Sequence, residues 1–303
     1  MNDVLLLAGG IVAVVAGAEW FFDGLLEISS RLKTAPFVVT ALISGFELEN
    51  LAAGIAANAK ELPGAAAGTF LGGATFLALG VTGLAAVVRP LDANLPWKAL
   101  ASAAVSPLAI VLLSLDGDLS RVDGTLLVVW FIAVMLVLAR TGRDVLIEDD
   151  DHEGSKSPLL RLLGGLAILS IGGEALGGGI RNVVSRFGVS PTLLGNTVIA
   201  ASVEAEEVAR VTVPSKRGRA DVAIGNIVGT VAHFVAFNAG VIAVAKPLEF
   251  DDATRQLHLP VAAASVTLVA LLFIFRARVS RWEGVTLLAI YAIYIAVAIG
   301  RAT

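Results

Sequence analysis

Apolar residues run through this chain in long blocks, separated at fairly even intervals by short polar stretches. Crossing a bilayer takes about 20 mostly apolar residues, with a tolerance of roughly 17–25. Ten stretches qualify, at about 4–28, 36–59, 64–88, 99–115, 123–140, 159–180, 191–213, 220–245, 258–275 and 283–300. None alternates apolar with polar positions as a strand of a membrane barrel does. Backbone groups in lipid must find partners within their own segment, so each stretch predicts a helix. The expectation is an all-α integral membrane protein with ten transmembrane helices.

Composition strengthens that reading and narrows the chemistry. The residues AVILMFWYC make up 56% of 303 positions and charged residues only 16%, too few charges for a water-facing surface of this size. A net charge of −4 offers no basic patch for nucleic acid. The chain has no cysteine, and His152, His233 and His258 lie far apart; disulfides, thiolate chemistry and a zinc site are therefore not expected. Neither a nucleophile–base pair nor a nucleotide-cradling loop is visible, so no enzyme activity and no cofactor are expected. No Lys or Arg precedes the first apolar run, which reads as a retained helix rather than a signal peptide.

Charge in the loops orients the chain. Of 22 Lys and Arg residues, 15 follow spans 1, 3, 5, 7 and 9, Arg210 counted among them, and 7 lie on the other side. Positive loops stay inside, so the expectation is a multi-pass plasma-membrane protein with both termini outside the cell.

The two halves repeat each other. At one spacing Glu19 matches Glu174, Gly24 matches Gly179 and Pro36 matches Pro191. At a spacing two residues longer, Glu47 and Glu49 match Glu204 and Glu206, Gly68 and Gly72 match Gly225 and Gly229, and Pro90-Leu91 matches Pro247-Leu248. Five spans per half is an odd number, so the second half enters from the opposite side. That makes two inverted five-helix repeats, an architecture of secondary transporters. The divisions are residues 1–140, an acidic cytoplasmic linker at 141–157 that reads as a solvated connection, and 158–303.

Acids placed near mid-span carry the functional signal. Span 2 reads Ser44-Gly-Phe-Glu47-Leu-Glu49-Asn50, and span 7 reads Ser202-Val-Glu204-Ala-Glu206-Glu207. A charge at the bilayer centre costs at least about 2.5–3.5 kcal/mol, so such residues face a polar cavity and mark ion or proton paths. Positions three apart share a helix face, which groups Glu47 with Asn50 and Glu204 with Glu207. Across the pseudo-twofold these four make one ring, with Glu47, Glu204 and Glu207 as the metal ligands. Glu49 and Glu206 point away from them on a regular helix. Carboxylates of this kind suit a hard cation such as Ca²⁺ or Na⁺, or protons when the site is empty. Asn226 and Thr230, one helical turn apart, are positioned to assist, and the neighbouring glycines allow close helix approach. His233 and Asn238 read more readily as satisfied interior residues. Glu19 and Glu174 fit a cavity mouth, a proton path or an interhelical hydrogen bond.

These segments resemble the cation/Ca²⁺ exchanger superfamily, which includes the Na⁺/Ca²⁺ exchangers. Members carry a motif like G-T-S-L-P-E on the second helix of each repeat and G-N-x-x-G-S-N on the third. Here Gly225-Asn-Ile-Val-Gly-Thr230 is similar to the third-helix motif, and the likeness covers nearly the whole chain. Without gaps, the family's ion-binding glutamate falls on Asn50 and Glu207 and its serine on Glu47 and Glu204. A shift by one places that glutamate on Glu49 and Glu206. The third-helix serine becomes Gly73 and Thr230, so hydroxyls are lost where acids are gained. The resemblance implies a secondary cation antiporter exchanging Ca²⁺ for Na⁺ by alternating access. An H⁺-coupled exchanger and a non-transporting member that keeps the fold are the alternatives. The implied partners are inorganic cations and the lipid bilayer.

Overall fold

A computed structural model describes residues 2–43, 45, 48–92, 95–143, 157–185 and 205–302. Its long segments are helical, as lipid demands. The first half comprises α1 (Asn2–Leu32), α2 (Pro36–Ile43), α3 (Leu48–Ala59), α4 (Pro63–Thr75), α5 (Thr82–Val88), α6 (Trp97–Leu113) and α7 (Arg121–Arg143). The second comprises α8 (Pro158–Ser185), α9 (Ala205–Lys216), α10 (Ala220–Ala232), α11 (Ala239–Ala245), α12 (Leu259–Arg276) and α13 (Arg281–Ala302). Seven helices among the described residues are long and apolar enough to cross a membrane. The predicted span 36–59 is instead interrupted: α2 stops at Ile43, Gly45 lies in a turn, and α3 starts at Leu48. Of the predicted span 191–213 the described part is the start of α9, and most of the acidic linker lies outside the described residues.

Three of the long helices contain a π-helical stretch: π1 at Phe76–Val81 between α4 and α5, π2 at His233–Asn238 between α10 and α11, and a third, Thr254–His258, leading into α12; the first two are related by the repeat. They begin 157 positions apart, at the spacing that relates Gly68 to Gly225. The wider π turn redirects carbonyls in the middle of a helix, and such bulges are frequent at functional sites. Apolar periodicity does not report them, because apolar or small residues cover most of the circumference of these helices, with a few polar ones such as Asn226, His233 and Asn238 among them. The two helices related by the repeat lie centrally, with 72% and 83% of their apolar windows buried, against 11% for the outermost, α13.

The halves also interlock through their loops. Strand β1 (Leu91–Asp92) pairs antiparallel with β4 (Arg278–Val279), and β2 (Asp118–Leu119) pairs with β3 (Leu248–Glu249). These two-residue ladders were not expected from the pattern; they give partners to backbone groups where spans 3, 5, 8 and 10 begin or end.

Glycines set the closest helix approaches. On α1, Gly10, Gly17 and Gly24 face Leu176, Leu169 and Leu162 of α8; in return Gly165, Gly172 and Gly179 face Phe21, Val14 and Leu7. Numbers rise on one helix as they fall on the other, so the pair runs antiparallel. A Cβ at Gly17 would sit 2.6 Å from the Leu169 amide nitrogen. The seven-residue recurrence puts all six glycines on one seam. Elsewhere α2 lies against α10 at Gly225 and Gly229, whose added Cβ atoms would strike the Phe37 and Ala41 carbonyls.

Candidate functional site

The α9 sequence Ala205-Glu-Glu-Val-Ala-Arg210 places acids three and four residues before an arginine, so all three side chains meet on one side of the helix. Glu207 is 0%, Arg210 5% and Glu206 7% exposed. Arg210 joins both acids: one guanidinium nitrogen lies 2.8 Å from Glu206 Oε2, and the other bonds Glu207 Oε1. The remaining Glu207 oxygen, Oε2, accepts a hydrogen bond from Asn226 Nδ2 at 2.5 Å. Glu206 also accepts a longer bond, 3.4 Å, from Ser170 Oγ of α8. The guanidinium carbon stands 5.9 Å from the Phe21 ring centroid, so an aromatic face from α1 closes the cluster on another side.

On α10, Asn226 and Thr230 are fully buried, one turn apart. Asn226 Oδ1 and Thr230 Oγ1 have no hydrogen-bond partner among the described residues. Buried oxygens without a donor are costly in an apolar surround, and they are acceptors available to a cation or a water.

The eight predicted site residues are therefore only partly assembled. Glu207 and Asn226 are in direct contact, and Thr230 is on the Asn226 helix. Glu206 was expected to point away from the ring, yet it shares Arg210 with Glu207, because residues i, i+1 and i+4 of a helix spread over an arc that one long guanidinium spans. Glu49 is exposed at the start of α3, with Glu206, Glu174 and Arg210 close enough to act on its charge. Asn50 is buried on the same helix. Glu47 and Glu204 lie outside the described residues, so the predicted ring and two of its three metal ligands do too. Among the described residues no group of three acids or histidines converges on a metal-sized point.

Sequence reasoning misplaced Arg210. Counted as a loop cation after span 7, it sits inside α9 with its side chain 3% exposed, which leaves 14 loop cations on that side against 7 without changing the orientation. Its three- and four-residue spacing from the acids was the available signal. Glu19 is neither a lone cavity-mouth acid nor hydrogen-bonded between helices in the way expected; with Asp23 it pairs to Arg217 beyond the end of α9. Glu174 lies on α8, the helix that also carries Ser170, a donor to Glu206. His233 is an interior residue: its Nδ1 donates to the Gly229 carbonyl at 2.8 Å, and its ring meets Phe131 edge-on.

Comparison with known proteins bears on this arrangement. A membrane protein of Methanocaldococcus jannaschii is 25% identical over 300 residues, covering 95% of each chain. A protein of Alkalimonas amylolytica named as a candidate antiporter, CaxA, is 26% identical, with 92% of this chain and 93% of its own covered. The solved sodium-calcium exchanger NCX_Mj superposes with a TM-score of 0.85 at 21% identity, over 98% of both chains, and so shares the fold. The family described as sodium/calcium exchanger protein matches residues 2–140 and 157–300. With that match running through both halves and the same fold in a solved member, the chain belongs to the sodium/calcium exchanger family of membrane transporters.

Proposed function

We propose that the protein is a secondary cation antiporter that exchanges Ca²⁺ for Na⁺ by alternating access, at a site centred on Glu207. One observation carries this reading: a fully buried carboxylate on a membrane helix is tied to Asn226, beside two buried oxygens that lack a donor. Carboxylate, amide and hydroxyl oxygens such as these are ligands for hard cations. The proposed ligand set takes in Glu206, Glu49 and Asn50 and, by their place in the sequence, Glu47 and Glu204. Exchange follows if both ions neutralise the same acids, so that one leaves before the other binds. In this reading the chain has ten spans in two inverted repeats, residues 1–140 and 158–303, and both termini are outside the plasma membrane. The antiparallel α1–α8 seam and the paired π segments support that arrangement.

The test is Ca²⁺ flux into liposomes containing the purified protein, under separately imposed Na⁺ and pH gradients. Na⁺-driven uptake that Glu207→Gln abolishes is the expected result. Uptake that follows only the pH gradient would replace Na⁺ by H⁺ as the coupling ion, and no uptake under either gradient would remove Ca²⁺ from the reading.

A further inference from the structure

An exchanger of two cations must keep its empty site from crossing the membrane, and unpaired acids do that by themselves. Two or more bare carboxylates in a bilayer carry a prohibitive charge cost, so the carrier reorients only when an ion neutralises them. The site described above departs from this scheme. Here Glu206 and Glu207 are both paired with a cation of the chain itself, Arg210.

We propose that Arg210 is a built-in cation: with no ion bound, its guanidinium pairs with both Glu206 and Glu207 and takes their joint charge from −2 to −1, so neither acid is bare and the empty carrier reorients without a counter-ion. This inference rests on the antiport reading and adds a second activity to it, net cation movement that needs nothing on the far side. Three features favour it over a static salt bridge. First, Arg210 takes the acids themselves, including the carboxylate whose other oxygen is set by Asn226. Second, a guanidinium keeps its proton at any working pH, so the compensation needs no proton uptake. Third, Asn226 Oδ1 and Thr230 Oγ1 remain without donors next to the occupied carboxylate. A structural ion pair complete in itself would leave no such acceptors beside it, whereas a site shared between a tethered and a mobile cation would.

The repeat sharpens the contrast. At the spacing that relates the halves, the counterpart of Arg210 is Ala53 and that of Glu207 is Asn50. One half thus carries an acid and its own cation where the other carries neither charge. The arginine is a specificity-determining residue: a mobile cation reaches Glu207 only when the guanidinium swings away. Its occupancy lowers the apparent cation affinity by the fraction of carriers whose site is open. If the guanidinium occupies the acids nine times in ten or more, removing it raises apparent affinity at least about tenfold.

Because Arg210→Gln alone strands two buried carboxylates, the test pairs it with Glu206→Gln/Arg210→Gln, which has the net charge of the native cluster but no tethered cation. Each full-length protein is placed in liposomes at clamped potential. Radiolabelled Ca²⁺ uptake is measured with Na⁺ inside and, separately, with only choline inside. The native protein should take up Ca²⁺ in both cases. The double variant should take up Ca²⁺ only with Na⁺ inside, with half-saturation at least tenfold lower. Cation-dependent thermal stabilisation by Ca²⁺, Sr²⁺ and Na⁺, read on the same preparations, follows binding independently of transport. Native uptake that strictly requires internal Na⁺, or a ratio of the two uptakes unchanged in the double variant, would overturn the role of Arg210 and leave antiport standing. No native transport, combined with cation stabilisation that appears only in the variants, would overturn antiport and uphold the built-in cation as a lock. Absence of both transport and stabilisation in every protein would overturn both.

Discussion

Replacing Gly17 with alanine tests whether the α1–α8 seam holds these helices together by backbone contact. Lipid tails are as apolar as leucine, so helices in a bilayer adhere through close packing rather than through hydrophobic burial. The Gly17 Cβ would lie 2.6 Å from the Leu169 nitrogen, 2.9 Å from the Gly165 oxygen and 3.1 Å from the Ile168 carbonyl carbon. Ordinary contact begins at 3.4 Å, so the backbones must separate by about 0.8 Å, the difference from the nearest atom. These obstacles are backbone atoms of a long helix, with no flexible side chain to move aside. A gap of 0.5–1 Å forfeits roughly a quarter to a half of each contact's attraction, and overpacking of this kind costs about 1–3 kcal/mol. For a chain of this size that is a fall in Tm of roughly 2–5 °C, measured by intrinsic fluorescence in detergent. Gly9→Ala on the same helix is the control, since a Cβ there meets nothing within 4 Å. If Gly17→Ala melts no lower than Gly9→Ala, the seam is not a packing contact and the antiparallel register inferred from it fails.

Other substitutions separate binding from folding. Thr230→Val keeps the shape and removes an oxygen that has no donor among the described residues; the protein should be as stable or up to about 1 kcal/mol more stable, while Ca²⁺ uptake falls at least tenfold. Asn226→Ala should cost about 1.5–3 kcal/mol, the range for a hydrogen bond to a charged group, and should also reduce uptake; a native melting curve would show that the bond to Glu207 contributes nothing. Arg217→Ala breaks pairs with Glu19 and Asp23 that are roughly 40% exposed, so its stability loss in denaturant titration should stay within about 1 kcal/mol. Gly45→Ala drives a Cβ into the His233 ring and should lower Tm by several degrees, since the ring is fixed by Gly229 and Phe131.

Much of this architecture was legible because bilayers impose long apolar runs, and a duplicated chain repeats its rare residues at one spacing. Proline and acid matches such as Pro90 with Pro247 survive where leucine matches mean little. What stayed hidden depends on events that residue type does not encode. The π turns arise from a one-residue shift in hydrogen bonding that residue type does not mark: Phe76–Val81 is wholly apolar, whereas its counterpart begins on His233 and ends on Asn238. The β1–β4 and β2–β3 ladders join loops distant in sequence. Arg210 was legible and misread: the hydrophobic pattern put it near the edge of a span, and edge cations belong in loops by default. Its spacing from Glu206 and Glu207 outweighed that default, because two buried acids without a partner are the more expensive arrangement.

The symmetry of the scaffold and the asymmetry of its chemistry belong to different layers of the molecule. Both halves carry a π segment at equivalent positions, and both use a glycine pair at the interface with the other half: Gly83 meets Gly284, and Gly124 meets Gly240. Those features concern how the helices pack against one another, and they recur in both halves. The polar side chains do not follow. Thr69, the counterpart of Asn226, spends its hydroxyl on the Ala66 carbonyl at 2.8 Å, and Gly73, the counterpart of Thr230, has no side chain to offer. Among the described residues the buried polar cluster is therefore concentrated in α9 and α10, while the π segments and glycine contacts recur in both repeats. Substitutions at Glu207, Arg210 or Thr230 should consequently change which ions move, and under what gradient, in a protein whose helices still pack. Substitutions along the α1–α8 seam should weaken the assembly before they touch selectivity.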